Sequence, residues 1–243
     1  MAVWDKYEGR SPFLISHESD ELYDLKPDDR LFKDDPNSGV WINIDSPLDR
    51  YRDERPEWFA YVWGFKEAAD RLVEDLVREG DSSMHTRFLG NPILALYRHS
   101  VELAIKSILI TGGATREPAT LKSHNLSWLW EQAINAMERE KSNTSDGDSL
   151  TMVGKLIAEL NEADTNSENF RYGVDKKLKP YGRQVEQMDV VNLRSVMFKL
   201  AVALDGCDTW LYEMQQARWE YEAEMRQEFY NEMREYYGEP GDF

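Results

Sequence analysis

Leu96-Tyr97-Arg98-His99-Ser100-Val101-Glu102-Leu103-Ala104-Ile105-Lys106-Ser107-Ile108-Leu109-Ile110 is the stretch on which the fold turns. Its permanently charged residues are Arg98, Glu102 and Lys106, spaced i, i+4, i+8, so they form one charged line along an otherwise apolar helix. Charges on a helix this apolar are costly unless they are paired or face a partner. Two readings follow. The line is either an ion-pair ladder on the solvent side, or a polar groove where Arg98 and Lys106 meet an anion and His99 moves protons.

Outward from this helix the same period recurs. Before it, Trp58, Tyr61, Val62, Phe65, Ala69, Leu72, Val73 and Leu76 predict a helix over 57–79, opened by Pro56 and closed by Gly80. Asn91 and Pro92 suit the start of the central helix and Gly112-Gly113 its end, giving 91–111. Leu126, Leu129, Trp130, Ala133 and Met137 predict a third helix over 125–140, and Val153, Leu156, Ile157 and Leu160 a fourth over 150–162. The polar linker at 141–148 separates them. Residues 164–188 read as extended or irregular. Asp189 caps a last helix whose apolar positions run through Leu204 and resume at Leu211, Met214, Tyr221, Met225, Phe229 and Met233. Unbroken to Tyr237 it would be about 70 Å long. Either Gly206 interrupts it, or its far end projects with an apolar stripe that wants a partner or the N-terminal arm.

Residues 1–57 hold five of the nine prolines and much Asp, Ser and Asn. Val40–Ile44 is the one plausible strand there, too short to found a sheet. The fold class expected is therefore all-α: an antiparallel bundle of four to five helices. Its divisions are an irregular acidic arm at 1–56, the bundle at 57–210 and an acidic helical extension at 211–243.

Composition limits the function. The 243 residues carry 46 acids and 29 bases, a net charge of −17. Broad contact with nucleic acid needs Lys and Arg in excess, so that class is disfavoured. The acid is concentrated at the ends: 15 acids to 8 bases in 1–57, and 9 to 3 in 211–243. The one basic stretch, Arg171 to Lys199, holds seven bases and three acids, and a solvated surface explains such a stretch as well as a ligand does. No apolar run reaches the roughly 20 residues of a membrane span. The start, MAVWDKYEGR, lacks the basic-then-apolar pattern of a secretory signal. With Cys207 the sole cysteine, a disulfide framework is ruled out and the cytoplasm is the expected location.

Four histidines (His17, His85, His99, His124) show no metal-ligand spacing, and no glycine-rich phosphate loop or nucleophile-elbow motif is present. No metal or cofactor is expected. His124, in Ser123-His124-Asn125-Leu126, stands where a helix begins. It either fixes that start by bonding backbone or, with the free amides there, helps to bind an anion. In Phe170-Arg171-Tyr172-Gly173-Val174-Asp175-Lys176, Arg171 and Lys176 can meet phosphate while Tyr172 stacks on a base. The plainer reading is that Phe170 and Tyr172 pin an irregular connection while Arg171 bonds helix carbonyls.

Three of these stretches, in order, resemble HEPN-domain proteins. Tyr97–Ile110 is similar to their long second helix with its Glu-Leu-x-x-Lys core. Ser123–Trp130 resembles the short His-Asn/Asp-Leu signature opening their next helix. Phe170–Asp175 resembles their Arg-Tyr-Pro-x-Asp element, with Gly173 in place of proline. The resemblance covers roughly 58–210. It implies an all-α, often dimeric bundle from prokaryotic antiviral defence, toxin–antitoxin or stress systems, many of them metal-independent ribonucleases. Their catalytic signature is an Arg, four to six residues, then a His at the start of the last helix. No histidine follows His124 here, and Arg78…His85 and Arg10…His17 have that spacing in other regions.

The expected function is therefore a non-catalytic HEPN-like module that binds RNA, a nucleotide or a partner protein. Its ligand-binding residues would be Arg98, Glu102, Lys106, Arg171, Tyr172 and Lys176, and the last helix would carry a homodimer or partner contact. The alternative is a divergent ribonuclease in which His99 or His124 deprotonates a 2′-hydroxyl and Arg98 or Arg171 stabilises the phosphorane. A third reading is an acidic subunit that inhibits a basic partner.

Overall fold

The computed structural model of the chain describes residues 58–79, 84–113, 119–140, 147–172, 174–175, 177–179 and 188–237. The expected acidic arm, with Val40–Ile44, lies outside them, and so does Lys176. Five α-helices make up most of the described residues: α1 (Trp58–Glu79), α2 (Met84–Thr111), α3 (Leu126–Glu140), α4 (Gly147–Ala163) and α5 (Val190–Tyr237), with a single 3-10 turn at Thr120–Lys122. Among these residues there is no sheet, and they are all-α, as their periodicity predicts.

Helix α2 is the centre. It packs against α1, α3 and α5, and residues 100–109 are all buried, which is why its sequence is apolar on nearly every side. Ile93, Tyr97, Val101, Ile105 and Ile108 meet Val62, Ala69 and Val73 of α1, Leu126, Leu129 and Ala133 of α3, Ile157 of α4, and Leu200, Leu204 and Leu211 of α5 in one core. Each Val, Leu or Ile among them contributes about 1.5–3 kcal/mol by leaving water.

The expected start of α2 at Asn91 is seven residues late. Pro92 lies inside the helix, although it can neither donate to residue 88 nor avoid crowding that carbonyl. Leu89, one turn earlier, packs on the core, and this burial sustains the extra turns. Helix α4 also starts early, at Gly147, inside the expected linker, whereas the starts of α3 and α5 follow their caps. Asp189 Oδ1 accepts the Val191 and Asn192 amides, both at 3.0 Å, and Asn125 Oδ1 accepts the Trp128 amide at 2.9 Å. Gly113 closes α2 with φ +86°, a conformation glycine adopts without strain.

Side-chain pairs fix the helix directions. Ser100 Oγ donates to the Val62 carbonyl and the Tyr97 hydroxyl to Asp70, so α1 and α2 run antiparallel. Leu126 meets Asn161, and Trp130 lies beside Gly154, so α3 and α4 do too. By contrast, α2 and α3 run the same way: Arg98 and Glu102 meet His124, while Gly112 faces Ala136, roughly a dozen residues further on in both. His124, ahead of α3, is back at the level of Arg98. This return places His124 on the charged line of α2.

Helix α5 passes Gly206 without interruption. Its 48 residues span about 70 Å at 1.5 Å per residue. Through Leu211 its apolar face is in the core. From Ala217 to Tyr236 every residue is exposed, so the projecting alternative is the one realised.

Candidate functional site

Arg98, Glu102 and Lys106 do form an i, i+4, i+8 ladder, but it is inside the protein. Their exposures are 0%, 2% and 6%, so neither a solvent-side ladder nor an open groove describes them. Arg98 Nη1 donates to Glu102 Oε2 at 3.0 Å, and Lys106 Nζ to Glu102 Oε1 at 2.7 Å. The remaining Arg98 donors go to backbone. Nε bonds the Asp164 carbonyl at 2.7 Å, while Nη2 bonds the His124 carbonyl at 2.6 Å and the Thr165 carbonyl at 3.4 Å.

Those carbonyls explain the burial. Asp164 and Thr165 follow directly on the C-terminus of α4, where helix carbonyls lack partners and the dipole favours a cation. His124 leads into α3. A planar guanidinium with five donors spans both segments, which a single ammonium group could not. Asn161 completes the junction, its Oδ1 accepting the Leu126 amide at 2.8 Å. Asp164, 1% exposed, also brings its carboxylate to Arg98, with Oδ2 3.8 Å from Nε. Its oxygens accept the amides of Glu168 at 2.8 Å and Asn169 at 3.1 Å, shaping the turn that leads to Arg171. Neither Asn161 nor Asp164 stands out in the sequence. Their one signal is position, at the last turn of an amphipathic helix before an irregular stretch.

His124 Nδ1 lies 2.9 Å from Glu102 Oε1, with about half of the imidazole exposed. Glu102 thus serves three partners. Burial alone would raise its pKa, but the hydrogen bond and charge of Lys106, with His124, outweigh this and hold the carboxyl below its ordinary range. His99, next to Arg98, is half-buried, its ring edge-on to Phe65 at 4.4 Å. Burial lowers its pKa; Glu102 opposes this, while the charges of Lys106, Arg171 and Arg98 add to it. His99 is accordingly a neutral base at pH 7.

Arg171 is exposed, donates to the Ser167 carbonyl and lies 5.6 Å from the centre of the Tyr172 ring. Its charge is felt at both His99 and Arg98, so it stands on the same side of the bundle. Phe170 packs on the core, whereas Tyr172 is 56% exposed; only the first of this aromatic pair pins the connection. The structure thus brings His99, Glu102, His124 and Arg171 together around the start of α3, with Arg98 and Lys106 behind them. The groups that reach solvent are the His124 imidazole, part of His99, Arg171 and Tyr172. Chemically the rim can accept a proton and attract an anion, but Arg98 has no donor turned outward.

Among the described residues no group of three or more His, Cys, Asp or Glu is placed to hold a metal ion, and no helix is long and apolar enough to cross a membrane. No protein-family model, curated protein or solved structure matches the chain.

Proposed function

We propose that the chain is a non-catalytic HEPN-like module of a prokaryotic defence or toxin–antitoxin system, and that it works by binding a partner protein through the projecting half of α5. The observation that carries this reading is the exposed run from Ala217 to Tyr236. Tyr221, Met225 and Phe229 there are 63%, 47% and 58% exposed, a stripe that a solitary soluble helix has no reason to keep. The buried ladder supports the non-catalytic half of the proposal, because an arginine that anchors three backbone carbonyls cannot also follow a phosphate through its transition state. Its attachment to defence systems rests on the three motif resemblances.

A second reading has one observation in its favour. His99 and His124 flank the same carboxylate, with the charge of Arg171 nearby, the minimum a metal-independent ribonuclease needs. Incubating the purified protein with structured and single-stranded RNA, with and without chelator, separates the two. No cleavage is expected. Chelator-resistant cleavage that disappears in a His99→Ala/His124→Ala variant would overturn the non-catalytic reading.

A further inference from the structure

The projecting half of α5 carries more than an apolar stripe. Tyr221, Met225, Phe229, Met233 and Tyr236 recur at intervals of four, four, four and three, so they share one face. Directly before each stands a glutamate: Glu220, Glu224, Glu228, Glu232 and Glu235. These five carboxylates line one edge of the stripe over about 22 Å. Among the described residues none of them makes an ion pair; the one arginine bridge of this region joins Arg218 to Glu140, with Arg218 also near Glu222. Like charges three and four residues apart repel, so the row weakens the helix that bears it until cations arrive from outside.

A second copy does not supply them. In a two-fold antiparallel pair like edges meet, which would set one glutamate row against the other. In a parallel pair the row would face the opposite edge, which sets only two cations, Arg226 and Arg234, beside Glu222 against the five glutamates. The arm at 1–57 does not supply them either, since it is itself acidic, with 15 acids to 8 bases, and the complementary surface is foreign.

From this charge pattern we infer that the occupant of α5 is a basic amphipathic helix of a different protein, whose apolar face covers Tyr221 to Tyr236 and whose Lys or Arg edge neutralises the glutamate row. The inference rests on the docking role proposed above and adds the chemistry of the partner.

The test uses the full chain and two synthetic helical peptides of about 20 residues, long enough to span the stripe, with the same leucine face, one edged with lysine and one with glutamate, followed by fluorescence anisotropy. The lysine-edged peptide is expected to bind at least tenfold more tightly, and Glu224→Lys/Glu228→Lys/Glu232→Lys to reverse that preference. Met225→Asp/Phe229→Asp should weaken the lysine-edged peptide at least tenfold although it adds negative charge, with circular dichroism confirming that the helix persists. Undiminished binding by that variant would reduce the effect to non-specific attraction and overturn the inference. If both peptides bind alike and both are lost with Met225→Asp/Phe229→Asp, docking on α5 stands and the basic partner falls. If neither binds and light scattering gives the mass of two chains, halved by the same variant, a second copy is the occupant and the inference falls. If neither binds and the mass is that of one chain, the docking role falls with it.

Discussion

Arg98 carries most of the structural work at the candidate site. It ties α2 both to the start of α3 and to the end of α4. Arg98→Ala would leave the buried Glu102 short of a cation and three carbonyls, that of Asp164 buried, without this donor, so the free energy of unfolding in urea should fall by about 3–5 kcal/mol. Arg98→Lys should recover little of it, because one ammonium cannot reproduce the fork. The pH dependence follows from two neighbours. The His99 pKa is lowered on folding, so the unfolded chain binds its proton first, and stability falls as pH drops below the ordinary histidine value of about 6.5. Glu102, also depressed, contributes stability that is present above its ordinary range and disappears only as pH falls through its lower folded value. Acid should therefore destabilise in two stages, and His99→Phe should flatten the first, measured as unfolding midpoint against pH. The i, i+4, i+8 spacing is legible in the sequence. Burial is not, because it depends on where the chain returns after Gly113, and nothing in residues 112–125 states a direction.

At the scale of elements, the apolar period locates all five helices, and Asn125 and Asp189 mark two starts that their hydrogen bonds confirm. The late start expected for α2 gives Pro92 its usual place at a first turn, where the tertiary packing of Leu89 prevails. The parallel course of α2 and α3 is invisible in the sequence for the same reason as the burial. It shows in one close approach: a Cβ on Gly112 would stand 2.8 Å from that of Ala136, so only glycine lets these two helices meet there. The unbroken passage of α5 through Gly206 reflects the small cost of one glycine, about 1 kcal/mol, beside many helix-favouring neighbours. Because residues 217–236 are exposed, deleting 217–243 should leave the bundle folded. The deletion removes the Arg218–Glu140 pair, and half-exposed pairs are worth about 0.2–1 kcal/mol. The thermal midpoint of the truncated chain should lie within a few degrees of the intact one, read by calorimetry.

For the whole molecule, charge and form point the same way. A net of −17 disfavours free RNA as ligand at low salt, and the surface that calls for cover is a helix edged with acid. The proposed binding role and the bundle's stability are then separable, the first placed by the proposal on α5 beyond Ala217 and the second at the Arg98 junction. Affinity recovery from cells that natively make the protein tests this directly, with the wild-type chain, the Met225→Asp/Phe229→Asp variant and the His99→Ala/His124→Ala variant as parallel baits. One stoichiometric protein should be held by the wild type and by the histidine variant and be lost with the α5 variant. Retention that ignores the α5 change, or recovery of RNA that vanishes with the histidines, would contradict the account.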